Sequence, residues 1–195
     1  MNQWDQRLFE FYLALGGAEA GPWNRSPRCL YIDHWTRNFI VEDAEPFLGI
    51  RVCNVGIGVG EWDNFLCDWL NGKGRLTSID IDSDICRRFA YRQHREGHPN
   101  PTTLVCADIL TDPLPAESFD LITTIGSTAA ESGEYDRFLT ACWRMVRTGG
   151  RMLFMDFFRH PPERFVAWAA SHDATILTRL GDDIAEGYIF WLARG

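Results

Sequence analysis

The sequence predicts an α/β fold: a mostly parallel sheet of seven strands that ends in an antiparallel hairpin, with helices on both faces. Three observations carry this. From Ile50 onward, short apolar runs alternate with amphipathic stretches, the pattern of buried strands joined by helical crossovers. The first run feeds a glycine turn that opens a helix. The last two runs are joined by so short a turn that they must pair antiparallel, since a parallel crossover needs a dozen or more residues.

Taken in order, residues 50–55 (IRVCNV) are the first strand and residues 56–60 the glycine turn. Residues 61–70 (EWDNFLCDWL) space Trp62, Phe65, Leu66, Trp69 and Leu70 helically. Residues 75–80 (RLTSID) form the second strand. Ser83 is the expected N-cap of a helix to about Arg95, with Asp84 in its first turn and basic residues in its last. Residues 102–106 (TTLVC) are the third strand and residues 119–125 (FDLITTI), after the turn-rich DPLPAES, the fourth. Phe138, Leu139, Cys142 and Val146 have helical spacing over residues 135–146, and Gly149-Gly150 should stop that helix before a fifth strand at 151–157. Pro161 and Pro162 open another helix to about Ser171. Residues 174–180 and 187–193 make the hairpin, around Gly181-Asp182-Asp183. The first 49 residues differ. A short helix at 7–15 precedes a Gly- and Pro-rich stretch at 16–27, and residues 31–39 (YIDHWTRNF) mix aromatic and polar side chains. Too short for a domain, residues 1–49 are expected to cap the C-terminal edge of a sheet domain spanning 50–195.

At 195 residues, 46% hydrophobic and 24% charged, the chain is sized for one ordinary core, which excludes disorder. Its 19 Lys and Arg against 27 Asp and Glu give a net charge of −8, the wrong sign for a nucleic-acid groove or an anionic membrane surface. No apolar run approaches the roughly 18 residues of a membrane span, and the N-terminus has no signal-peptide pattern. The expectation is a cytoplasmic protein, monomer or homodimer, that acts on a small molecule and binds neither nucleic acid nor membrane. Six cysteines stand singly without metal-ligand spacing, so buried reduced thiols are expected and no metal.

The chemistry concentrates where strands end. Residues 54–60 (NVGIGVG) let the backbone pass close to a ligand, while free amides at the helix start face whatever binds. A dinucleotide fingerprint would need a third glycine where Glu61 stands, so NAD loses an anchor. Asp80 ends the second strand about 20 residues on, where a carboxylate accepts from both ribose hydroxyls of an adenosine. Asp108 ends the third strand, placed to accept from an adenine amino group.

This order of motifs resembles the class I S-adenosylmethionine (SAM)-dependent methyltransferases, which have a Rossmann-like fold. NVGIGVG at 54–60, SIDID at 78–82, ADI at 107–109, FDLITTI at 119–125 and VRTGGRMLF at 146–154 carry the likeness, which spans residue 50 to the C-terminus. The resemblance implies SAM as cofactor. Gly56 and Gly58, with Gly60 closing the turn, would border its methionine moiety and Asp80 its ribose. Ile81 and Ile109 would flank the adenine, Asp108 would contact its amino group, and Ile125 and Gly126 would offer backbone near the amino-acid end. Asn54 departs from the pattern, because the family usually has an acid there.

The substrate side should lie in the loops after the fourth and fifth strands. His34 and His160 are the histidines placed to act as a base. Tyr31, Trp35, Tyr135 and Phe157 are candidates for an aromatic wall beside the sulfonium, with Ser127 near the transferred group. Gly126-Ser127-Thr128 replaces the D/N-P-P-Y/F motif of amino-methyltransferases acting on DNA or protein glutamine. The leading expectation is methylation of a small molecule, in specialised metabolism. Two alternatives keep SAM: cyclisation or aminocarboxypropyl transfer releasing methylthioadenosine, and a SAM-sensing module without turnover.

Overall fold

The computed structural model describes all residues except 1, 17–26, 113, 127, 158–159 and 183–185, with backbone only at 14–16, 27–28 and 182. Helix α1 (Gln3–Gly16) and helix α2 (Pro27–Asp43) precede the sheet. Then follow β1 (Arg51–Val55), α3 (Glu61–Leu70), β2 (Arg75–Asp80), α4 (Ser83–Glu96) and β3 (Thr103–Cys106). The chain continues through β4 (Phe119–Ile125), α5 (Thr128–Glu131), α6 (Tyr135–Met145) and β5 (Val146–Phe157). It closes with α7 (Pro162–Ser171), β6 (Ala174–Asp182) and β7 (Gly187–Arg194).

The strands form one seven-stranded sheet in the order β3-β2-β1-β4-β5-β7-β6. The first five strands are parallel, and β7 pairs antiparallel with both β5 and β6. The central strands β1 and β4 are buried almost throughout because helices cover both faces. On one face Phe138, Leu139 and Cys142 of α6 and Phe165, Trp168 and Ala169 of α7 pack on Val55, Ile122, Phe154 and Phe190. On the other, Trp62, Leu66 and Leu70 of α3 pack on Val52, Leu121 and Leu153.

Two expected details differ. The helix N-cap is Asp82 rather than Ser83: its carboxylate accepts from the amides of Asp84 at 2.7 Å and Ile85 at 3.2 Å, which a shorter Ser one residue later does not do. Helix α6 ends at Met145, and β5 starts at once at Val146, so Gly149-Gly150 fall inside a twelve-residue strand instead of stopping the helix. The extension pairs Val146 with Phe119 across a register shift.

Of the N-terminal segment, helix α2 packs on a face of the sheet and brings Asp33 to the cavity at the strand ends. Ile32, Thr36, Phe39 and Ile40 recur at helical spacing along α2 and are buried, and Ile32, Phe39 and Ile40 join the core layer that holds Met155, Ile189 and Trp191. Helix α2 thus completes the covering of one sheet face beyond α3. Helix α1 lies on the outer side of α4, where Asp5 accepts from Tyr91 at 2.6 Å and the Arg88 guanidinium sits over the Phe11 ring.

Candidate functional site

The strand β1 delivers the chain into the glycine turn, where Gly56, Gly58 and Gly60 adopt φ of 92°, 55° and 82°. The glycines serve two different ends. A Cβ on Gly56 would fall 2.4 Å from Thr128 Oγ1 of α5, and one on Gly60 would fall 2.4 Å from the Phe89 ring of α4. Beside Gly58 a Cβ would meet nothing within 4 Å, although Gly58 lines a cavity. Gly56 and Gly60 therefore let elements close on the turn, and Gly58 keeps open space beside it.

That cavity, about 670 Å³, lies beyond the C-terminal ends of β1, β2, β3 and β4. It is within the range of roughly 300–1,000 Å³ typical of small-molecule and cofactor sites. Asp80 Oδ2 accepts from the amides of Ile57 at 2.8 Å and Gly58 at 3.3 Å, tying the tip of β2 to the turn. Asp108 accepts from Leu110 N at 2.9 Å and from Thr111 Oγ1, which fixes the loop after β3. Ile79, Ile81, Ile85 and Ile109 supply an apolar wall between the two acids. Asp33, Glu61, Asp80, Asp82, Asp108 and Glu131 all line the cavity, and among the described lining residues there is no Lys, Arg or His. Just outside the lining Arg37 pairs with Asp33 at 2.9 Å and Arg92 with Glu61 at 2.7 Å, and the other acids give a field that favours a cation over a pyrophosphate.

Beneath the turn runs a buried polar row. Asn54 sits in register with Ser78 of β2 and Thr123 of β4, on the face covered by α3. The Asn54 amide donates to Gly56 O at 3.0 Å and to Asp63 Oδ1 at 3.0 Å, and its oxygen accepts from Thr123 Oγ1 at 2.9 Å. Ser78 donates to Asp63 Oδ1 at 2.5 Å, and Trp62 Nε1 to Thr123 at 3.1 Å. Asp63 is fully buried, and burial raises its pKa to about 7 against the opposing hydrogen bonds from Ser78 and Asn54.

Among the sequence-predicted cofactor residues, Gly56, Gly58, Asp80, Ile81, Asp108, Ile109 and Ile125 come together around the cavity. Asn54, Gly60 and Gly126 do not line it. Asn54 and Gly60 hold the turn from behind, and Gly126, at φ 87°, donates its amide to Met155 O. None of the predicted substrate-side residues that the structure describes lines the cavity. Tyr31 is exposed and stacks on Trp35, which is partly buried against the core layer under α2. Tyr135 is a core residue whose hydroxyl meets that of Tyr188 at 3.3 Å. Phe157 packs against the core layer under α2. His34 is exposed, 3.4 Å from the Asn38 amide. His160 lies 3.6 Å from buried Asp156, and its ring sits 4.2 Å from that of Tyr135 at a tilt of 36°. Ser127 lies outside the described residues. The side of the cavity away from Asp80 and Asp108 is instead formed by Asp33 of α2, Thr128 and Glu131 of α5, Ser132 and Phe138.

A sheet in this order, with an acid at the tips of β2 and β3 and a glycine turn after β1, defines an adenosine-binding α/β domain. The chain belongs to the methyltransferase domain family, whose model matches residues 52–150, just over half of its length. It is thus a class I SAM-dependent methyltransferase domain. It is 26% identical over 154 residues to the ubiquinone/menaquinone biosynthesis C-methyltransferase UbiE of Edwardsiella ictaluri, an alignment covering 77% of this chain and 59% of that protein. The chain therefore spans well under two thirds of that relative. Its fold matches a SAM-dependent methyltransferase from Aquifex aeolicus with a TM-score of 0.67 at 16% identity, covering 80% of this chain and 88% of that one. It also matches the N-methyltransferase NodS from Bradyrhizobium japonicum WM9 in complex with S-adenosylhomocysteine (SAH), with a TM-score of 0.67 at 17% identity and 99% of both chains covered. No helix among the described residues is long and apolar enough to cross a membrane.

Proposed function

We propose that this protein transfers a methyl group from SAM to a small molecule. The carrying observation is the cavity itself: a glycine turn with open space beside Gly58, two strand-tip acids, and a lining rich in carboxylates that has no cation among its described residues. These residues fit a ligand with a cationic sulfonium and a neutral adenosine. SAM, when bound, supplies a methyl group activated by positively charged sulfur. Gly56 and Gly58 border its amino-acid end, Asp80 accepts from the ribose hydroxyls, and Asp108 with Ile81 and Ile109 holds the adenine. Thr128, Glu131, Ser132 and Phe138 face the acceptor. Methyl transfer from a sulfonium depends on alignment more than on acid–base help, so a lining without histidine is compatible with it. His160, beside Asp156 and Tyr135, and His34, on an exposed helix face, both stand outside the cavity lining, so neither is assigned the role of base.

Calorimetry with SAM, SAH and NAD tests the cofactor. SAM and SAH should bind and NAD should not. Incubation with SAM, alone and with panels of phenolic, quinol and amine acceptors, tests the reaction. Acceptor-dependent SAH release is expected, and enzyme-dependent methylthioadenosine release from SAM alone would replace methyl transfer with cyclisation.

A further inference from the structure

The group that the cofactor reading leaves unused is Asp63. It is fully buried, its Oδ1 takes both hydrogen bonds it receives from side chains, and its Oδ2 has no hydrogen-bond partner. Neither protonation state is satisfied. A carboxylate here has no cation paired with it among the described residues, while a proton on Oδ2 finds no acceptor. Such a group is poised to change state when its surroundings change.

Its surroundings are the cofactor turn. One Asn54 amide nitrogen bridges Asp63 Oδ1 and the carbonyl of Gly56, so Asp63 lies two hydrogen bonds from a residue lining the cavity. Glu61 and Trp62, immediately before it on α3, line that cavity as well. The titratable groups that face it are few. Cys53 of β1 and Cys67 of α3 are thiols held protonated by burial. Asp80 of β2 opposes its ionisation, and β4 presents only the neutral Thr123 hydroxyl to the row.

We propose that Asp63 is a positioning residue for SAM: acting through Asn54 it sets the glycine turn, and it gives up its proton to solvent as the cofactor's cationic sulfonium enters. The proposal rests on the cofactor reading above. A cation arriving over Gly56 favours the charged form of Asp63, and by linkage the charged form favours the cation. Asn54 has no charge to offer, so the response belongs to the carboxyl behind it.

The test is calorimetry of SAM binding to the intact protein in two buffers of different ionisation enthalpy, for the wild type and Asp63→Asn. With Asp63 half protonated at pH 7, complete ionisation on binding releases about half a proton per site. Wild-type affinity should then rise about tenfold from pH 6 to pH 8, beyond any change seen in the variant. Equal proton release in both proteins overturns the proposal, as does an equal pH profile. Absence of SAM binding to the wild type would instead overturn the cofactor reading and the proposal with it. Should Asp63→Asn not fold, carboxyl carbon NMR of the aspartate-labelled wild type decides. An aspartate resonance titrating near pH 7 should move to its ionised position when SAM is added, and an unmoved titration overturns the proposal.

Discussion

Asp80 Oδ2 accepts from the amides of Ile57 and Gly58, so a ribose held there, as the proposed function has it, would share a carboxylate that already fixes the turn. Asp80→Ala should weaken SAH binding by about 1.5–3 kcal/mol, the scale of a hydrogen bond to a charged group, and Asp80→Asn by less. Titration calorimetry checks it, and unchanged affinity would remove Asp80 from the site. The two glycines separate shape from stability. Gly56→Ala drives a Cβ to 2.4 Å from Thr128, so it should lower the melting temperature strongly. Gly58→Ala meets open space, so the fold should lose only about 1–2 kcal/mol to backbone strain at φ 55°. Its methyl group then occupies the cavity side, and SAH affinity should fall more than stability does. Melting curves beside binding curves would show the opposite ranking if Gly58 faced away from the ligand. These residues were legible in the sequence because their identities follow from motif order. Asp63 was not, because nothing in the sequence marks it as buried among the three acids of the helical stretch 61–70. Its role arises only when strand pairing sets Asn54, Ser78 and Thr123 in one row under α3.

At the scale of elements, the strands and helices from residue 50 onward were legible because parallel-sheet runs and helical stretches alternate cleanly. The substrate side was not. Residues 31–39 mix aromatic and polar types, and their mixture pointed to a pocket wall. The helical period of α2 instead turns Ile32, Thr36, Phe39 and Ile40 inward and leaves Tyr31 and His34 in solvent. Asp33 reaches the cavity from between them. This changes what truncation should do. A detachable cap would leave a folded sheet behind, whereas removal of residues 1–40 strips cover from Leu153, Met155, Ile189 and Trp191. The truncated chain should lose cooperative thermal unfolding. A milder probe is Ile40→Ala, which should cost about 2–5 kcal/mol as a fully buried large-to-small change. Denaturant titration measures it, and a cost below about 1 kcal/mol would show that α2 is dispensable to the core.

Across the whole molecule, two buried acids give stability opposite slopes with pH. Burial opposes ionisation of Asp120, but the Arg51 amide and the Arg147 and Arg51 guanidinia outweigh it and hold the carboxyl below its ordinary value. Its contribution is present above the ordinary carboxylate range and is lost as pH falls through its lowered folded value. Asp63 runs the other way. Between about pH 4 and 7 the native protein keeps a proton that the unfolded chain has released, so the stability due to this proton is complete below pH 4 and is lost as pH rises through about 7. At 1.36 kcal/mol per pKa unit the full swing is roughly 4 kcal/mol. Maximum stability of the free protein should therefore lie on the acid side of neutrality. Asp63→Asn keeps the acceptor for Asn54 and Ser78 but cannot ionise, so from pH 5 it should gain on the wild type up to about pH 7 and level off by pH 8. Urea midpoints across that range check it, and parallel curves for the two proteins would show that Asp63 does not titrate there. A cation that relieves the buried charge must return part of what ionisation costs. Saturating SAM should therefore raise the wild-type midpoint more at pH 8 than at pH 6, and raise that of Asp63→Asn by nearly the same amount at both.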